Sequence, residues 1–280
     1  MPIPLHWHTE PLLLFSLLGV FWLYAAATGP WRERIAPGAP YPKAEAWAFY
    51  GGLITLYIAV GSPIDQIGEQ FLFSVHMVQH MLLVYVAAPM LLWGMPPWLI
   101  DWLLTPARVR KAVKPLVHPV TVWLLFTFVF TIWHIPVLYE LALQDKFWHI
   151  VEHWTMFAAG FLFWWPLLTR SSLLPRISHG GRMLLVFVMM IGQFPVFAFL
   201  TFSDEVLYPT YALAPRIFGI SAIEDQILGG VIMKVIGDGV AMLVFGLAWY
   251  GWYRRQSNHD SALLSGARRP TDASTPSHHV

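Results

Sequence analysis

The 280-residue chain is 57% hydrophobic and 12% charged, about half the ~25% charge of a soluble domain, and its mean hydropathy is +0.56. Seventeen basic and 16 acidic residues cannot coat a soluble globule of this size. A net charge of +1 gives no footprint for nucleic acid, and the absence of cysteine excludes thiolate ligands, disulfides and thiol redox chemistry.

Seven stretches reach the ~20 apolar residues that a spanning helix needs. They are 11–29, 44–62, 70–94, 118–138, 148–168, 182–202 and 230–252. The predicted fold is therefore all-α, a polytopic membrane bundle of seven transmembrane helices over residues 1–255. A tail at 256–280, rich in Ser, Thr, Pro and Arg, is expected to be disordered. The first stretch lacks the basic leader of a signal peptide and reads as a retained span. Residues 96–115 form a basic connection lying on the membrane surface, and 203–229 a long loop with a short helix near 221–229.

The basic residues orient the bundle. Arg32, Arg34, Lys43, Arg108, Arg110, Lys111, Lys114, Arg170, Arg176, Arg182, Arg254, Arg255, Arg268 and Arg269 fall on one side. Only Lys146 and Arg216 fall on the other, and Lys234 lies inside the seventh span. The N-terminus is accordingly expected outside and the C-terminus in the cytoplasm. Trp93, Trp98, Trp102, Trp164, Trp165, Trp249 and Trp252 mark inner span ends, and Trp133 and Trp148 outer ones, as interfacial rings should.

Ionisable groups within spans are costly and signal function. Counted at 1.5 Å per residue, His76 and His80 lie about 9 and 15 Å below the outer end of the third span. His134, His149, Glu152, His153, Lys234 and Asp238 fall in the same outer layer, with Asp225 just before the seventh span. His118 and His179 are the inner-side exceptions, while His6, His8 and the tail histidines are expected to be uninvolved. His76 and His80 share a helix face at i,i+4, as do His149 and His153. Met77 and Met81 repeat that offset on the adjacent face. Imidazole with thioether suits copper, Cu(I) above all, and Glu152, Asp225 or Asp238 could orient a ligating imidazole. A structural reading remains for each alone: an interfacial His134, packing methionines, histidines that bond one another.

Other chemistries share these residues. His149-x-x-Glu152-His153 also fits an inverted zinc-peptidase pattern, without an unambiguous third ligand. Two histidines could hold one haem near the outer face, making an electron-transfer protein. Lys234 in a seventh span resembles a retinal protein's lysine but lies too near the span's edge, and Glu152, Asp238 and Lys234 could line a proton path. Gly51-Gly52 and Ala158-Ala159-Gly160 are candidate close-packing positions.

Four motifs in order carry a family resemblance. They are His76-Met77-Val78-Gln79-His80-Met81-Leu82-Leu83, Trp133-His134-Ile135-Pro136-Val137-Leu138-Tyr139, His149-Ile150-Val151-Glu152-His153, and Asp225-Gln226-Ile227-Leu228-Gly229-Gly230-Val231-Ile232-Met233. Over roughly residues 10–255 the chain resembles the multi-span CtaG-type cytochrome c oxidase assembly factors. The resemblance implies a bacterial plasma membrane location, no catalysis, and maturation of a haem-copper oxidase by delivery of copper to its catalytic subunit, with an external copper donor. It carries His76, Met77, His80, Met81, His134, His149, Glu152, His153 and Asp225 as matched positions. Lys234 and Asp238 match no family role; a fixed cation beside a metal would weaken its binding unless Asp238 pairs with it.

Overall fold

Helix starts along the chain are set by proline and by short polar caps, and the computed structural model describes Trp7 and residues 10–267, without a strand among them. In chain order, α1 (Pro11–Thr28) and the short α2 (Arg32–Ile35) lead to α3 (Lys43–Gly61) and α4 (Pro63–Gln70). Next, α5 (Phe73–Met81) passes through a π-helical segment, Leu82–Ala87, into α6 (Ala88–Trp93). Two short helices follow, α7 (Pro97–Leu104) and α8 (Ala107–Leu116), then α9 (Pro119–Trp133), α10 (Pro136–Gln144) and α11 (Lys146–Leu168). The chain closes with α12 (His179–Thr201), α13 (Pro209–Leu213) and α14 (Ala222–Ala267). Pro11, Pro63, Pro97, Pro119, Pro136 and Pro209 each stand at a first helical position, where their missing N–H costs nothing. Ser62, Asp145 and Ser178 cap α4, α11 and α12 through side-chain oxygens. His118 caps α9, its Nδ1 accepting from the Val120 N–H at 3.4 Å, which gives that histidine a structural role.

Five helical stretches are long and apolar enough to cross a membrane: α1, α3, Phe73–Trp93, α12 and α14 as far as His259. A sixth arises if α8 and α9, bent by 61° at their break, form one span. The expected seventh corresponds to α11. At 23 residues it has spanning length, but Lys146, His149, Glu152 and His153 in its first turns dilute its apolar character. The polar layer that makes this helix interesting is what weakens its signal as a span. α14 continues to Ala267, past the expected boundary at 255. The rest of the tail, with His6, His8 and the last two histidines, lies outside the described residues.

α14 packs along α12 and across α5, while α11 packs against α9, α10 and the π segment. α1 lies outside α3, with Tyr24 stacked on Phe49 at 3.8 Å and donating its hydroxyl to the Gly94 carbonyl at 2.8 Å. Small residues let backbones approach. A Cβ at Gly229 would stand 2.4 Å from the Phe73 ring, and one at Gly68 would stand 2.9 Å from the His76 Cα, so α14 and α4 both press on α5. At the expected small-residue positions, Gly51 meets the Met90 side chain, Gly52 meets Leu91 and Gly160 meets Val84.

The π segment has a local cause. Pro89 in the second position of α6 has no N–H to offer four residues back, and its ring would collide with that carbonyl in a regular turn. The widened turn relieves the clash. The Val84 carbonyl within it accepts the Trp164 indole N–H at 2.8 Å.

A buried histidine and carboxylate cluster

α5 and α11 bring their two His-x-x-x-His pairs face to face. His76, His80 and Glu152 are fully buried, and His149 and His153 nearly so. The rings of His76 and His80 lie 4.5 Å apart, those of His149 and His153 4.3 Å. Across the interface, His153 is 5.5 Å from His76 and 5.3 Å from His80, and His149 is 5.6 Å from His76. The Glu152 carboxylate sits between the α5 pair, with Oε2 3.7 Å from His76 Nε2 and Oε1 3.6 Å from His80 Nε2. Those separations exceed a hydrogen bond, and no Lys or Arg pairs with Glu152 among the described residues.

One ligand atom each from His76, His149, Glu152 and His153 lies within 4.8 Å of the other three. A tetrahedral ion with ~2.1 Å bonds sets its ligand atoms ~3.4 Å apart, so modest inward rotation of these side chains would close a shell. Buried polar atoms in a protein normally have partners. Here His76 Nε2, both nitrogens of His80, His153 Nε2 and both oxygens of Glu152 have no hydrogen-bond partner. Nitrogen lone pairs around one dry carboxylate are a donor set that could hold a metal cation.

The tautomer of His76 follows from its surroundings. The Tyr211 hydroxyl donates to the Gly68 carbonyl at 2.7 Å. Tyr139 and Tyr211 are 3.1 Å apart through their hydroxyls, and His76 Nδ1 lies 2.9 Å from Tyr139 and 3.2 Å from Tyr211. With the Tyr211 proton already committed, all these contacts are served if Tyr139 donates to Tyr211 and His76 donates its Nδ1–H. That assignment, made from the network, leaves the Nε2 lone pair facing Glu152, as a metal-ligating imidazole requires.

The remaining expected residues divide. His134 stands beside the cluster: its ring is 6.4 Å from His80, and Nδ1 bonds the Phe130 carbonyl at 2.6 Å, leaving a buried Nε2 without a hydrogen-bond partner. Met77 and Met81 belong to the apolar core, and Met77 packs toward Gly229 of α14. Asp225 does not touch the histidines. Its carboxylate accepts the backbone N–H groups of Phe73 at 2.6 Å and Ser74 at 3.2 Å, capping α5. Lys234 pairs with Asp238 at 2.9 Å and lies over the rings of Phe194 and Phe197 on α12. Its charge is thus answered within its own helix.

The geometry also bears on the rival chemistries. Five of the six pairs among the four imidazoles of the cluster lie within 5.6 Å ring to ring, a spacing that suits a small ion better than a haem plane. A cluster this deeply buried offers a peptide no approach to Glu152. Sequence reading missed Tyr139 and Tyr211, although Tyr139 closes one of the motifs; a hydroxyl five dozen residues from its histidine carries no spacing signal. It also missed Glu69, whose Oε1 is 3.8 Å from His149 Nδ1.

Comparison with known proteins places this arrangement. Residues 22–255 match the family described as cytochrome c oxidase caa3 assembly factor. The chain is 28% identical over 251 residues to uncharacterized proteins of Mycobacterium bovis and Mycobacterium tuberculosis, an alignment covering 83% of this chain and 37% of each relative. It thus spans little more than a third of the curated relatives it matches. No solved structure matches it. Since the family match takes in all four motifs and most of the length, the chain belongs to the cytochrome c oxidase caa3 assembly factor family.

Proposed function

We propose that this assembly factor holds copper in the cluster of His76, His80, His149, His153 and Glu152 and passes it to the catalytic subunit of a haem-copper oxidase. The observation that carries the reading is the convergence of four imidazoles on one buried carboxylate, in a family whose work is oxidase assembly. Copper here is cargo, and the protein's task is ligand exchange rather than catalysis. Imidazole serves copper in general, whereas thioether would have favoured Cu(I). With Met77 and Met81 in the apolar core, the donor set of nitrogen and carboxylate oxygen favours the divalent ion. His134 is a reserve ligand at the cluster's edge. Asp225, Tyr139 and Tyr211 position the donors, and Lys234 with Asp238 stands apart.

In this reading the bundle has seven spans, with α11 as the fifth and α9 with α10 as the fourth. It sits in a bacterial plasma membrane with its N-terminus outside. Fourteen of the 17 basic residues fall, by their place in the sequence, on the side expected to be cytoplasmic; in this reading the cluster faces the other way, toward an external copper donor. The test is elemental analysis of protein extracted in detergent after exposure to copper. Wild type should retain about one equivalent and His76→Ala with His80→Ala almost none; equal content in the two would refute the site.

A further inference from the structure

The cluster has a second tier, whose two carboxylates none of the four motifs covers. Asp65 and Glu69 lie one turn apart on α4, and their carboxylates together with His149 form another group of ligand atoms within 4.8 Å of one another. His149 belongs to both groups. Its Nδ1 lies 3.8 Å from Glu69 Oε1, while its ring stacks obliquely 4.3 Å from His153. Burial grades along this line: the Glu69 side chain is 27% exposed, His149 7% and Glu152 0%. Gln79, on α5 between His76 and His80, is fully buried and donates its amide to Asp65 Oδ1 at 2.5 Å. The oxygen of that amide is buried without a hydrogen-bond partner beside Asp65, a further donor of the kind a hard or borderline cation takes. At the same end Lys146 bonds Glu10.

We propose that Asp65, Glu69 and His149 form an outer loading station, at which a divalent cation is captured by carboxylate oxygen before His149 exchanges it into the inner cluster. This rests on the inner cluster being a metal site. Carboxylates suit the first position because an aquated divalent ion exchanges water for charged oxygen donors readily and at a partly exposed side chain. Imidazoles suit the second, because nitrogen donors hold late first-row ions more tightly. His149, shared by both groups, lets the ion change shells without passing through an uncoordinated state. No bond to carbon and no electron is involved: each step exchanges one ligand atom for another, and water is released at the station.

The experiment uses the full chain in detergent with Cu(II) as the probe. Uptake is followed by stopped-flow quenching of tryptophan fluorescence, and final content by elemental analysis. Asp65→Asn with Glu69→Gln should slow uptake at least tenfold while leaving the inner equivalent of copper in place. Glu69→Gln alone, at a partly exposed position, should slow it several-fold without disturbing the fold. Uptake within twofold of wild type in both variants, with wild type loading normally, overturns the station and leaves the inner site standing. Unchanged copper content in His76→Ala with His153→Ala, but lost in the carboxylate variant, overturns the inner site and with it the transfer step, leaving the outer carboxylates as the metal site itself. Failure of wild type to take up Cu(II) overturns both.

Discussion

The Asp225 carboxylate accepts the backbone N–H of Phe73 at 2.6 Å, tying the first turn of α14 to the first turn of α5 across 152 residues of sequence. The bond satisfies two of the N–H groups that a helix start leaves open, since Ser74 donates to the same carboxylate. It also fixes the pitch of α5 where His76 leaves it. Asp225→Ala should cost about 1–2 kcal/mol of stability, the usual worth of such a cap, and should weaken copper binding although Asp225 is not a ligand. Asp225→Asn, which keeps an acceptor, should recover most of the stability. Thermal melts and copper titrations of the two variants check both effects.

His76 depends on the tyrosine pair for its tautomer. Tyr139→Phe removes the hydroxyl 2.9 Å from Nδ1 and leaves that nitrogen with Tyr211 alone. Loss of an outer partner of a ligating imidazole typically costs 10–100-fold in metal affinity. That range is expected for Tyr139→Phe, with stoichiometry kept at one ion. Competition against a chelator of known affinity measures it.

Glu152→Gln separates stability from binding. A carboxylate buried with no Lys or Arg partner among the described residues is expensive to keep charged, so the neutral amide should raise the melting temperature of the metal-free protein. The same change removes the only carboxylate in the inner cluster, so stabilisation by added copper should fall away. For wild type that stabilisation is ~2.7 kcal/mol at a hundredfold excess over Kd. Copper should therefore raise the melting temperature of wild type and leave that of the variant, higher without metal, nearly unchanged.

Asp101 gives a pH dependence at the far end of the bundle. Burial acts to raise its carboxyl, but the Ser171 and Ser172 hydroxyls and backbone N–H groups bond it more strongly, and the net direction is downward. A group with a depressed folded value stabilises the fold above its unfolded value, about 3.9 for Asp. That contribution is lost as pH falls through the folded value. The loop after α11 should thus be fully held at pH 7 and released below the ordinary carboxylate range. Asp101→Asn should abolish that acid-dependent step. Hydrogen exchange over residues 170–176 at pH 7 and in acid is the measurement.

Lys234→Met with Asp238→Asn should leave copper content and uptake rate unchanged, because the pair is closed on itself beside α12. Removing both partners avoids stranding one charge. A change of more than twofold in copper affinity would instead connect the pair to the cluster.

The local patterns are legible in the chain itself: the two His-x-x-x-His pairs and Glu152 beside His153 in the second of them. What could not be read was which faces meet. Met77 and Met81 share the histidines' spacing, yet at about 100° around the helix they point into the apolar core. Asp225, expected as a carboxylate that could orient an imidazole, instead accepts two backbone N–H groups of α5. Tyr139, Tyr211 and Glu69 reach the cluster through the tertiary fold alone, and no periodicity links them to it. The span assigned to α11 was the least secure for a related reason: hydropathy averages over a helix, and the donors that equip it lower the average.

The widened turn at Leu82–Ala87 has a mechanical consequence. An additional residue in one turn rotates everything after it by about 100° relative to a regular helix. The stretch from Phe73 to Trp93 therefore presents two unrelated surfaces, donors toward α11 before the turn and Leu91 toward Gly52 of α3 after it. One rod does two jobs whose geometries need not agree. Helices α1 and α3 can settle against this side of the bundle without dragging the imidazoles with them.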